Sequence, residues 1–170
     1  MFEYIKSSDI IPALLAEKRF GDIVRHVMNG CYEKAASIGE MPQSIAVLAT
    51  GLLHYILTSS QIPSQRKVEF CRVDVDIVIP DLKTLEKNPQ KALLVYIMQS
   101  VDPRIVADNL AAIEKIQPVR ENICVVHSGS IQTAHKSFLV SRDGEAFSGI
   151  ISELEKFAGD QRFRILGNLD

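Results

Sequence analysis

The sequence predicts an α/β protein, a mixed central sheet flanked by helices and preceded by an N-terminal helical segment. Three observations predict it. The first sixty residues place their apolar positions at helical spacing. From Lys67 onward, short β-branched and apolar runs alternate with amphipathic stretches. The hydrophobic share of 46%, beside 24% charged residues, is that of a chain that buries a core. At 170 residues one domain is expected, with a helical segment over 1–60 and an α/β core over 67–170.

Taken in order, Ser8 and Asp9 can cap a helix through "IIPALLAEK", with Pro12 tolerated in its first turn. "FGDIVRHVMNGCYEKAASIGE" sets Ile23, Val24, Val27 and Met28 on one side; Gly30 weakens the helix and Gly39 ends it. "MPQSIAVLATGLLHYILTSS" is apolar nearly all round, which predicts a buried helix, and "SSQIPSQ" reads as a loop. "KVEFCRVDVDIVI" contains a strand of period 2, or two strand halves. "PDLKTLEKNPQ" is a polar connection, and "KALLVYIMQS" has the short bounded apolar run of a strand covered on both faces.

"DPRIVADNLAAIEKIQ" predicts a helix capped by Asp102, with Pro103 in the first turn and Ile105, Val106, Leu110, Ile113 and Ile116 on one side. "NICVVHS" is a second buried strand, so the unit from Ala92 to Val126 is expected to be a parallel crossover. "SFLVS" reads as a further strand, "GEAFSGIISELEKFAG" as a helix ending at Gly159, and "FRIL" as a closing strand.

Composition removes several function classes. Cys31, Cys71 and Cys124 show no C-x-x-C spacing, against a zinc site and against a disulfide framework. The apolar run "ALLVYIM" is far shorter than the roughly 20 residues of a membrane span, and the start has no basic-then-apolar leader. A cytoplasmic protein without membrane attachment is expected. No glycine-rich nucleotide motif occurs. The net charge of −2 gives no overall basic footprint for phosphate. Local cations do exist: Arg66, Lys67 and Arg72 in "QRKVEFCR", Lys91 before the buried strand, and Arg162 and Arg164 in "QRFR". The first four are the candidates for nucleic-acid contact.

Chemistry concentrates in "RVDVDIVIPD". Period 2 expects Val73, Val75, Ile77 and Ile79 on one face, and Arg72, Asp74, Asp76 and Val78 on the other. Carboxylates at i and i+2 lie about 7 Å apart. With a third oxygen ligand they can flank a divalent cation. They are equally suited to the solvated side of an edge strand, partly neutralised by Arg72.

The order over roughly residues 42 to 127 is a helix, a strand ending "VDVDIVI", a connection, the strand "ALLVYIMQS", an amphipathic helix and the strand "ICVV". That order resembles the PD-(D/E)xK superfamily of restriction-endonuclease-like nucleases, in particular archaeal Holliday junction resolvases. The resemblance implies that Asp76 occupies the place of the metal-binding catalytic Asp, with Asp74 beside it. It also implies Mg²⁺ as cofactor and DNA or RNA as partner. The strand that should carry acid-x-Lys, however, reads Leu94-Val-Tyr-Ile-Met-Gln99, with neither acid nor lysine. The expectation is therefore a nuclease-like domain degenerate at its catalytic strand. It would act as a nucleic-acid-associated or structural subunit, as a homo-oligomer or paired with an active homologue. The alternatives are an active metal-dependent nuclease with a non-standard site, and an interaction or dimerisation module using the apolar helix from Ser44 to Leu57.

Two further places carry weaker chemistry. "HSGSIQTAH" follows a parallel strand and holds His127, Ser128, Ser130 and His135, a polar loop where ligands often sit. Tyr96, His135 and Lys136 faintly resemble the Tyr, His and Lys of tRNA-splicing endonucleases. Otherwise Tyr96 is expected in the core and His54 packed in its helix.

Overall fold

The structure, a computed structural model, describes residues 1–166, with side chains described through Asp160. Four helices come first: α1 (Phe2–Ser7), α2 (Ile11–Ala16), α3 (Phe20–Ala36) and α4 (Met41–Ser59). The core follows as β1 (Gln65–Phe70), β2 (Val73–Ile79), α5 (Leu82–Lys87), β3 (Leu93–Ile97), α6 (Pro103–Ile116), β4 (Ile123–His127), β5 (Lys136–Leu139) and α7 (Glu145–Leu166). Short 3₁₀ turns at Pro89–Lys91 and Arg120–Asn122 lead into β3 and β4.

The five strands lie side by side in chain order. β1 to β3 run antiparallel to their neighbours, while β3, β4 and β5 are parallel. An α/β fold with a mixed sheet and an N-terminal helical segment is thus what the chain forms. Helices cover both faces. Against α3, α4 and α7 lie Ile77, Ile79, Val95, Ile97 and Val126. Against α6 and α5 lie Val75, Val78, Leu94 and Val125. β3 and β4 are apolar except for Tyr96 and the terminal His127 because both of their faces are covered. The same logic explains α4, whose Ile45, Leu52, Leu53 and Leu57 are fully or almost fully buried between α3 and the sheet. By length and composition alone α4 also satisfies the requirement of a membrane span, which the shorter run "ALLVYIM" does not.

Local signals explain several boundaries. Asp102 accepts from the Arg104 N–H at 2.8 Å and starts α6, with Pro103 in its first turn. Ser8 Oγ accepts from the N–H groups of Ile10 and Ile11 at the entry to α2. Asp81 caps α5 by accepting from the Thr84 N–H at 2.7 Å, so the expected polar connection contains a helix.

Four expectations need correction. α1 precedes the first expected helix. "FRIL" forms no strand: α7 continues through Gly159 to Leu166, since one glycine costs a helix only about 1 kcal/mol and no proline follows to stop it. Ile105 is 48% exposed and does not join the buried side of α6 made by Val106, Ile113 and Ile116. Of the two forms expected for "KVEFCRVDVDIVI", the chain takes the two strands, joined at Cys71 and Arg72, whose φ values of 52° and 65° suit a two-residue hairpin turn. Arg72 therefore belongs to the turn and to neither strand face.

Alternation along β2 also fails at one point. Val75 and Val78 pack on the α6 side, whereas Ile77 and Ile79 pack on the α4 side. β1 reverses at the matching place. Arg66 reaches α4 while Val68 and Phe70 face α6. The cause is Lys67, whose φ of 50° is left-handed within an otherwise extended strand. In the hairpin register, Arg66 opposes Ile77 and Val68 opposes Val75, which sets Lys67 opposite Asp76. The hairpin thus turns over between its base and its tip, with Asp76 at the pivot.

Candidate functional cleft

β2 and β3 pair through Ile77–Val95, Val78–Leu94 and Ile79–Leu93 and then part. Continuing that register would set Val75 opposite Ile97. The Asp76 carboxylate enters the fork instead. Its Oδ2 accepts from the Ile97 N–H at 2.7 Å, and its Oδ1 accepts from the Lys67 ammonium. The Asp76 side chain is only 9% exposed, against 49% for Lys67. A carboxylate in this position needs both contacts, because burying an unpaired charge is costly. Neither partner was visible as one in the sequence: Ile97 contributes only backbone, and Lys67 acts through its unusual φ.

Beside the fork, between the hairpin tip and α6, opens a cleft of about 600 Å³. Asp74, Asp76, Lys67 and Arg72 line it together with uncharged polar groups from β3 and α6. Two carboxylates therefore face two cations, and the wall carries no net charge. Tyr96, half-buried against the α6-side core, also lines the cleft, and its hydroxyl accepts from Asn109 Nδ2 at 2.8 Å. Burial pushes the Tyr96 phenol above its ordinary range, and the neighbouring Asp76 charge adds to this against the Asn109 hydrogen bond. Gln99, Ser100, Asn109 and the exposed Ile105 also line it, and none was a candidate from the sequence. One signal was legible: Ile105, Asn109 and Ala112 recur at helical spacing, an amide inside an otherwise apolar stripe.

The sequence-derived candidates do not assemble into a single basic patch. Arg66 donates to the His54 carbonyl at 3.0 Å and to Thr58 Oγ1 at 3.1 Å, tying β1 to the last turns of α4. Lys67 and Arg72 reach the cleft. Lys91 ends the 3₁₀ turn before β3, at the end of that strand opposite Ile97. Five residues lie between them, on the order of 15–20 Å of extended chain, so Lys91 does not join the Asp76 site. Arg162 and Arg164 lie in α7, and their side chains are outside the described residues. Asp74 is exposed and stands directly opposite Glu69 across the hairpin. Facing like charges destabilise a strand pair.

The carboxylates were also the candidate Mg²⁺ ligands, and the donor set does not suit that ion. A hard cation needs several free oxygens. Both oxygens of Asp76 are already bonded, which leaves the exposed Asp74 as the free carboxylate of the pair. Among the described residues no group of three or more His, Cys, Asp or Glu gathers. β3 contributes the apolar or neutral residues its sequence reads.

His54 adds a feature that the sequence did not signal. Its Nε2 is buried without a hydrogen-bond partner. Burial holds the imidazole below its ordinary pKa, assisted by the charges of Arg66 and Lys67 and opposed by Asp76.

The second region of interest is occupied by structural contacts. His127 Nδ1 is 2.5 Å from the Gly129 carbonyl and closes the turn after β4. His135 is buried, with Nε2 2.9 Å from Glu114 of α6. Lys136 instead pairs with Glu153 of α7. Tyr96 and His135 thus bond to α6 while Lys136 bonds to the opposite helical layer, and the three expected partners form no catalytic group.

Comparison with protein-family models, curated proteins and solved structures finds no match. The chemistry of the cleft is carried by its own side chains.

Proposed function

We propose that the chain is a nuclease-like module, degenerate at its catalytic strand, that serves as a nucleic-acid-associated or structural subunit and does not cleave by itself. One observation carries this: Asp76, the residue that the resemblance puts in the place of the catalytic Asp, has its oxygens engaged by Lys67 and the Ile97 N–H. The adjoining strand supplies no second carboxylate and no cation to act on a phosphodiester. What is left is a cleft with hydrogen-bonding capacity and no hydrolytic machinery.

The test is to incubate purified protein with branched, single-stranded and duplex nucleic acid in Mg²⁺ or Mn²⁺, and to measure binding in parallel across salt concentrations. Salt-dependent binding without cleavage is expected, the salt slope reporting how few phosphate contacts form.

A second reading, an interaction or dimerisation module, is favoured by one specific observation. Ile38 and Val47 are 74% and 72% exposed, and Met41 is 49% exposed, around the start of α4. A stable homodimer indifferent to nucleic acid would favour it, and Val47→Lys should then dissociate that dimer.

A further inference from the structure

We infer that the cleft beside Asp76 is a receptor for a nucleobase, holding one unstacked base of a single strand, while the phosphate backbone stays outside. The inference rests on the nucleic-acid association proposed above and names which part of the ligand is read.

The charge arrangement excludes phosphate from the interior. Lys67 is committed to Asp76. The remaining charged side chains of the wall, Asp74 and Arg72, are of opposite sign. A phosphate entering here would meet a wall of no net charge, where Asp74 opposes what Arg72 offers and Lys67 is already paired. A neutral polar ligand meets no such opposition.

The uncharged groups point to a flat heterocycle. Gln99 and Asn109 offer side-chain amides, each with a donor and an acceptor side, which match the mixed edge of a base. Asn109 is held in place, because one of its amide hydrogens is given to the Tyr96 hydroxyl at 2.8 Å. That leaves its Oδ1 and its second N–H to a ligand. Apolar surface for the base's faces comes from Ile105, which is 48% exposed at the mouth of the cleft, and from the half-buried Val68, Val73 and Tyr96 ring. A volume of about 600 Å³ lies within the range of small-ligand sites and accommodates a base with its sugar. The wall is open on one side, as a base still attached to its strand requires.

The experiment measures fluorescence anisotropy of a labelled single-stranded oligonucleotide of about twelve residues against an abasic oligomer of the same length and charge. Free nucleosides and inorganic phosphate serve as competitors. Expected is binding of the base-bearing strand at least about tenfold tighter than the abasic one, with competition by nucleosides and none by phosphate at equal ionic strength. Asn109→Ala should reduce the base-bearing affinity about tenfold, the net worth of one or two hydrogen bonds, and leave the abasic affinity unchanged. Tyr96→Phe, which leaves the fold's packing volume nearly intact, should give a smaller loss in the same direction by releasing the Asn109 amide.

Equal binding of the two oligomers would overturn the nucleobase inference while leaving nucleic-acid association standing. Binding of nucleosides but of neither oligomer would support the receptor and overturn association with strands. Absence of binding by every probe would overturn both.

Discussion

Replacing Asp76 separates its two roles, because alanine removes both contacts whereas asparagine can keep one. In Asp76→Ala the Ile97 N–H loses its acceptor at 2.7 Å in a buried setting. Leaving such a donor unsatisfied costs about 1–3 kcal/mol. The ion pair adds little, since the Lys67 side chain is 49% exposed and can turn to water; about 0–1 kcal/mol is a fair range. The total for alanine is about 1–4 kcal/mol. Asp76→Asn presents Oδ1 to the Ile97 N–H and loses only the attraction of Lys67, so it should cost about 1 kcal/mol or less. Lys67→Ala removes the same attraction and also the left-handed lysine, and it serves as the independent measure of that half. Urea unfolding with an unchanged m value is the assay. Equal losses for Asn and Ala would refute the acceptor role. A gain in stability for either variant would refute the structural account more deeply, since removal of a working active-site carboxylate commonly stabilises a fold.

Further outcomes follow from other contacts. Asp74→Thr removes one of two carboxylates opposed across the hairpin, Glu69 and Asp74; it should stabilise by about 0.2–1 kcal/mol, less so in 1 M salt, as read by thermal melting. Gly30→Ala places a Cβ into the ring of Tyr4, whose hydroxyl is 3.3 Å from His26 Nε2. It should loosen α1 and raise proteolytic cleavage before Ile11 despite the better helix propensity of alanine. Native thiol titration should label Cys71 quickly and leave buried Cys31 and Cys124 unreacted until unfolding. Burial pushes the Cys124 thiol from its ordinary 9.0 to about 12. Between those values the unfolded state binds fewer protons than the folded one, so this residue lowers stability as pH rises, by about 1.4 kcal/mol per pH unit. Below pH 9 it contributes no pH dependence, and Cys124→Ala should flatten the alkaline loss relative to wild type.

Much of the fold was legible because burial leaves a periodic mark. β3 and β4 read as apolar runs, α6 as a capped stripe and α4 as an apolar helix, and each occupies the layer those patterns require. The errors lie where periodicity is interrupted by backbone geometry. Lys67, as a left-handed lysine in a strand, has no compositional signature, yet it turns the hairpin over and moves Val75 and Ile77 to opposite cores. The same event gives Asp76 its place in the fork, so a strict period of 2 set Asp74 and Asp76 alike, whereas the first is exposed and the second buried, though both line the cleft. Gly30 looked like a weakness in α3 and is instead the space that the Tyr4 ring fills. "FRIL" has strand composition, but its helix continues because nothing stops it. In the cleft, the charged residues were visible one by one. Asn109 and Tyr96 were not, because their meeting depends on how α6 crosses the sheet.

The central claim is that Asp76 is held as a structural carboxylate beside a binding cleft and drives no hydrolysis. Its most direct test is an endpoint cleavage assay on labelled single-stranded, duplex and branched substrates with Mg²⁺ and Mn²⁺, run on wild type and on Asp76→Asn. The account predicts that wild type leaves every substrate intact while retaining it at low salt, and that Asp76→Asn behaves alike. Metal-dependent cleavage by wild type that disappears in Asp76→Asn would contradict it.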